Sequence, residues 1–180
     1  MQATGLTTVQ EDILYDWIES VLSPFGVEIA WAFPDEPEQN KPYCILSVPV
    51  KPKPEHMPST EYNSVDTIDH RFHNVFTFSV KIYADDGNDY IRRIIKSQYY
   101  ELNIERLKLA DMTCRYDVGT YFLPEVVSDR FEYREGVDFI MAYSEIDSEV
   151  VGEIREVELQ GTIKGTVDSV DIEKNWTITQ

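Results

Sequence analysis

Apolar residues at Ile13, Leu14, Trp17, Ile18, Val21 and Leu22 recur one helical turn apart, with their immediate neighbours. That stripe predicts an amphipathic helix over residues 8–22. Thr7 or Thr8 can cap it, with Glu11 three residues after Thr8 completing a capping box, and Pro24 and Gly26 stop it. Residues 27–33 and 43–50 then read as two short strands around Pro34-Asp35-Glu36-Pro37, a pattern that predicts an antiparallel hairpin. Pro52, Pro54 and Pro58 follow closely, and because proline removes backbone donors, residues 51–64 are expected to form a loop or extended arm.

From residue 65 to 83 the period changes to two, with Phe76, Phe78, Val80 and Ile82 on one side of a strand and Thr77, Ser79 and Lys81 on the other. Asp85-Asp86-Gly87-Asn88 breaks the strand. Tyr90, Ile91, Ile94, Ile95 and Gln98 resume a helical stripe, with Arg92, Arg93 and Lys96 on other faces, and a further helical set runs through Leu102, Leu107 and Leu109. Residues 113–121 suggest short strands. Residues 131–143 predict one long strand, with Gly136 marking a bulge. Residues 164–180 form a β-rich carboxy-terminal extension. The expected class is α+β: one domain over residues 1–180, a mixed and mostly antiparallel sheet, and helices packed on one face.

The chain has 180 residues, enough for one sizeable core. Its two cysteines build no disulfide framework, which favours a reducing compartment. The amino terminus lacks the basic and apolar regions of a signal peptide, and no apolar run is long enough to cross a membrane. A soluble protein, cytoplasmic at synthesis, is expected. Thirty-three acidic residues against sixteen basic ones give a formal net charge of −17. Phosphate neutralisation needs clustered Lys and Arg, so this balance argues against binding nucleic acid. It fits either an ordinary solvated acidic surface or one that faces DNA without holding it.

Candidate chemistry is sparse. Asp85, Asp86 and Asp89 surround Gly87 but lack calcium-loop spacing, and a turn with a helix cap explains them equally. His70 and His73 sit three apart on a strand, which sends them to opposite faces and disfavours shared zinc ligation. Cys44 or Cys114 would need a nearby histidine to act as a nucleophile. No nucleophile elbow, phosphate loop or dinucleotide fingerprint occurs. No catalytic residue, cofactor or metal is therefore expected, and the chain does not read as an enzyme.

The order of the pieces adds a resemblance. Ile29-Ala30-Trp31-Ala32-Phe33-Pro34-Asp35-Glu36-Pro37, then Lys41-Pro42-Tyr43-Cys44-Ile45-Leu46, resembles the hairpin of the phage neck and tail terminator family. The strand from Phe76 to Tyr83, with its acidic turn and helix, is similar to that family's next element. Leu123-Pro124-Glu125-Val126-Val127, leading into Arg130 to Phe139, looks like its closing block, although Gly136 stands where an alanine-like residue is common. The likeness spans roughly residues 8–163. It implies a non-enzymatic ring, usually hexameric, in the virion at the head–tail junction and assembled in the host cytoplasm. The ring's partners would be the connector or stopper protein and the tail tube or sheath protein. Genomic DNA would pass through the lumen without specific binding, and no membrane would be involved.

For subunit or partner contacts the candidates are Trp31, Phe33, Pro34, Tyr43, Arg92, Arg93, Arg130, Glu132 and Arg134. For Trp31, Phe33 and Tyr43 core packing is the first reading and a subunit-interface role the second. Two other classes remain open: an acidic binding module, such as a DNA-mimicking inhibitor of a host enzyme, and a carboxylate-dependent hydrolase with two carboxyl groups about 5–9 Å apart in a cleft.

Overall fold

A computed structural model describes residues 4–32, 42–64, 67–122, 125–127, 130–132, 134–150, 159–167 and 170–178. The first helix, α1 (Thr8–Leu22), falls where the periodicity places it. Its capping box is built differently from the expectation. Thr7 is the N-cap, its hydroxyl accepting from the Gln10 amide at 3.3 Å, while Gln10 Oε1 accepts from the Thr7 amide at 3.0 Å. Gln10, not Glu11, is three residues from the cap, and Glu11 instead accepts from the Thr4 hydroxyl. A 3-10 turn, Ser23–Phe25, ends on Gly26 at φ 67°, a left-handed conformation that glycine adopts without steric cost.

The chain is α+β, with a mixed sheet under three α-helices. Its strands are β1 (Glu28–Trp31), β2 (Tyr43–Pro54), β3 (Ser59–Ser64), β4 (Thr67–Tyr83), β5 (Met112–Phe122) and, after two short strands, β8 (Arg134–Val150). The order is β1-β2-β4-β8-β5, with β3 paired to β4. The short strands, β6 (Glu125–Val127) and β7 (Arg130–Glu132), pair antiparallel with each other.

Two expectations are corrected here. β1 and β2 are not an antiparallel hairpin: they run parallel, Glu28 opposite Tyr43 and Trp31 opposite Leu46. Eleven residues separate them, long enough to carry the chain back to the starting edge, which a tight turn cannot do. The proline-rich segment is not a loop throughout, since β2 continues to Pro54 and β3 occupies Ser59–Ser64. β1 covers β2 only as far as Leu46, so the prolines beyond lie where β2 has β4 on one side only among the described residues. The register against β4 shifts twice there, and edges and bulges are where proline is tolerated.

The helices α2 (Gly87–Ser97) and α3 (Glu101–Lys108) follow β4. Asp86 takes the N-cap position of α2 but makes no capping bond through its side chain, and only Asp89 lies in the first turn. Alternation on β4 sends Phe76, Phe78, Val80 and Ile82 inward, and β8 contributes Val137, Phe139 and Met141. Trp17 of α1 sits above them, 5.2 Å from Phe139 and 6.2 Å from Phe78 between ring centroids. Ile91 and Ile94 close the core from α2, and Leu107 from α3. Leu102 and Leu109, expected on one stripe with Leu107, are instead 66% and 80% exposed. Five residues along a helix rotate by about 140°, so Leu102 cannot share the face of Leu107.

Packing separates two compact units, Met1–Ser59 with Arg71–Asp147, and Thr60–His70 with Ser148–Gln180. The first holds all of the buried apolar core described above. Within the second, the strands β9 (Leu159–Val167) and β10 (Val170–Ile178) form an antiparallel hairpin that begins before residue 164. Also there, Ser148 donates to Asp69 at 2.6 Å, and His70 lies 3.1 Å from Glu149.

Of the long strand expected over residues 131–143, residues 131–132 lie in β7 and 134–143 in β8, residue 133 being outside the described residues, and the bulge assigned to Gly136 lies on β5 instead. There the register slips between Asp117 and Thr120, around Gly119 at φ 98°. Gly136 has another task. A Cβ on it would stand 2.5 Å from the Tyr121 ring, which crosses over it. Gly136→Ala should therefore displace that ring and lower stability by about 1–3 kcal/mol in urea unfolding. In a Tyr121→Ala background the same substitution should cost little.

Candidate functional site

The outer side of the sheet is half-buried and carries more polar groups than the core side. Tyr121 donates its hydroxyl proton to Asp138 at 3.2 Å and lies 3.0 Å from the Ser79 hydroxyl. With that proton engaged, Ser79 is the donor of the second bond. Burial leads the upward shift of the Tyr121 pKa, so the phenol stays protonated and the bridge between β4, β5 and β8 is kept.

At one end of the sheet several of the expected contact residues converge. Tyr43 opens β2 and stacks on Tyr83, with centroids 4.4 Å apart and rings inclined by 11°. Arg134 opens β8 and donates to the Tyr83 hydroxyl at 3.3 Å. Glu135, next to it, packs against Gly87 at the start of α2; burial pushes its pKa up and the Arg92 charge draws it down. Arg93 lies over the Phe25 ring at 4.7 Å, and Phe25 meets Tyr90 edge-on at 5.6 Å. A cleft of about 210 Å³ beside them is lined by Pro42, Ala84, Asp85, Asp86 and Tyr90.

Not every expected residue joins this end. Trp31 packs into the core, 6.1 Å from Phe78. Tyr43, 8% exposed, also serves packing. Phe33 and Pro34 lie outside the described residues. For Arg130 and Glu132 only strand positions are described, opposite Val127 and Glu125.

A second surface lies at the turn between α2 and α3, where the sequence reads Tyr99 and Tyr100, with Arg92, Arg93 and Lys96, as a solvent- or subunit-facing side of a helix. The exposed Leu102 and Leu109 lie at the start and the end of α3, while Tyr99 and Tyr100 fill the turn between α2 and α3 and are 72% and 57% exposed. A groove of about 260 Å³ adjoins them, lined by Ile104, Leu107 and Met112 with Lys108 and Arg115. β5 borders this groove and, among the described residues, pairs only with β8. Arg115 is held by Glu55 at 2.6 Å, an ion pair that lowers the Glu55 pKa.

Catalytic groupings do not form around the candidates named from sequence. His73 meets Ser144 at 3.1 Å, and no group of three metal-ligating side chains occurs among the described residues. Cys44 is fully buried among apolar groups, which pushes its thiol far up. Cys114 donates to Gln98 Oε1 at 3.2 Å, and burial first, then Asp117, pushes its thiol up to about 12. No helix among the described residues is long and apolar enough to cross a membrane.

A family model described as phage neck terminator protein matches residues 10–167 of the chain. None of the curated proteins matches it.

The thiol environments are open to direct test. Thiolate is the reactive form, and a pKa pushed up to about 12 leaves Cys114 protonated at pH 8. Alkylation of the folded chain at pH 8 should be at least tenfold slower than in urea, and should speed up as pH rises towards 11. Rapid labelling of folded Cys114 at pH 8 would contradict the environment described.

Proposed function

The chain belongs to the phage neck terminator protein family, a structural component of the virion neck, and from that membership we propose that it works as a ring. Six copies end the tail tube and join it to the connector or stopper on the head side, with tube or sheath protein on the other. Genomic DNA passes through the lumen. Assembly takes place in the host cytoplasm, and the role involves no catalysis.

The observation that carries this reading is the length of the family match, which runs from α1 through β9. Charge supports the lumen. At −17 per copy, an acidic channel wall repels phosphate, and DNA slides past a wall that offers it no counterion-releasing contact.

Electron microscopy of the purified chain, with and without tail tube, tests the ring. Six-fold particles, free or seated on tube ends, are expected, together with density for the chain at the collar of the virion. A species that stays monomeric or dimeric by light scattering and never binds tubes would favour the acidic binding module instead. A channel wall that is neutral or basic would remove the DNA-sliding role while leaving the ring.

A further inference from the structure

The two ends of α2 open onto surfaces of opposite charge, both within the first compact unit. Before the helix comes a turn through Asp85 and Asp86, closed by the Gly87 amide donating to the Ala84 carbonyl at 3.3 Å. Both aspartates are exposed, and they line the cleft of about 210 Å³, which has no basic residue in its wall. Asp89, exposed in the first turn of α2, adds a third carboxylate. After the helix comes the groove of about 260 Å³, reached at Gln98 and Tyr99. Its charged lining residues are Lys108 and Arg115, and no carboxylate stands in its wall.

In a chain of thirty-three acidic and sixteen basic residues, such a wall is the exception. Arg115 is shared with Glu55 at 2.6 Å, and Asp117 nearby accepts from Gln98 at 3.1 Å. Lys108 is exposed and in no ion pair among the described residues. Apolar area accompanies the charge on both sides. Tyr90 lines the cleft and meets the exposed Phe25 edge-on, while Ile104 and Tyr99 stand exposed on the groove. Distance keeps the two surfaces apart, because the eleven residues of α2 rise about 16 Å. A copy's acidic turn therefore does not reach its own groove.

We infer that the Asp85-Asp86 turn of one copy docks in the groove of a neighbouring copy, its carboxylates facing Lys108. The two surfaces differ, so the contact is head-to-tail, and a head-to-tail contact repeated by rotation closes into a ring. α2 then spans each copy from one contact to the next. The inference rests on the ring reading and names the contact that closes it.

Two charge reversals at exposed positions test it by mixing. Lys108→Glu makes the groove acidic and leaves the turn acidic; Asp85→Lys makes the turn basic and leaves the groove basic. Each variant alone sets like charges against each other at every contact. Its self-association by light scattering, free or on tail tube, should be about tenfold or more weaker than that of wild-type chain. Mixed in equal amounts, the two alternate around a six-membered ring with opposite charges at every contact, and association should return to the wild-type level. Asp86→Lys in the turn and Thr113→Glu in the groove stand in if circular dichroism shows either chain to be unfolded. A Lys108→Glu chain that assembles like wild type, or a mixture no better than its components, overturns the inference and leaves the ring reading standing. Wild-type chain that never self-associates, free or with tail tube, overturns both.

Discussion

One buried hydrogen bond organises the helical layer. Trp17 is fully enclosed, and its indole N–H, a single donor in an apolar site, must find an acceptor or forfeit several kcal/mol, about 2–7 by transfer scales. It finds Ser97 Oγ at 2.8 Å, eighty residues along the chain. Ser97 in turn donates to the Ile94 carbonyl at 2.7 Å, while its own carbonyl accepts from Asn103 at 3.0 Å. A single indole thus fixes the last turn of α2 against α1 and ties the start of α3 to both. Arg106 adds an outer strap, donating to the Asp16 carbonyl and the Ser20 hydroxyl of α1. The turn between α2 and α3 is consequently held in place with Tyr99 and Tyr100 facing solvent. Their exposure follows from the fixed geometry.

A similar polar device joins the helices to the sheet. Gln98 reaches the Ile95 carbonyl at 2.9 Å and Asp117 at 3.1 Å with its amide nitrogen, and takes the Cys114 thiol on its oxygen. Gln98 is 6% exposed, and every polar atom of its side chain has a partner in these bonds. That explains why an amide is accepted on the buried stripe of α2. The bond to Gln98 engages the Cys114 thiol proton, and burial disfavours the charged form.

Much of this fold was legible because periodicity reports burial directly. The stripes of α1 and α2 and the alternation on β4 read correctly, since each buries one face against the same core. Parallel pairing of β1 with β2 did not read, because strand composition carries no direction; direction depends on where the intervening eleven residues lead the chain. The capping partner slipped by one residue for a similar reason, since either threonine satisfies the motif and only backbone geometry at Thr7 decides. Gly136 looked like a bulge because a glycine in a strand has two explanations, and the ring of Tyr121 supplies the second. The packing of Trp31 and Tyr43 was legible too, since an aromatic on a strand next to a core is ordinarily packed. The exposure of Leu102 and Leu109 did not read, because which leucines of a short helix face the core is settled only when the helix axis is known.

Distribution of charge finally bears on how such an acidic chain can meet copies of itself. Seventeen uncompensated negative charges per molecule oppose association. Screening at physiological ionic strength removes most of that repulsion beyond about 8 Å but little of it within a contact. An assembly of identical acidic chains therefore needs its surfaces sorted, with cations at the contact and carboxylates elsewhere. The described residues have that character. The span from Arg92 to Lys108 holds five basic residues against two acidic ones, whereas the early helix carries Glu11, Asp12, Asp16 and Glu19 with no basic residue in its last turn. Uniform scattering of the same charges would give equal solubility but no preferred contact. Segregation is what the proposed ring would require: a surface that tolerates a copy of itself, and carboxylates elsewhere to repel a polyanion.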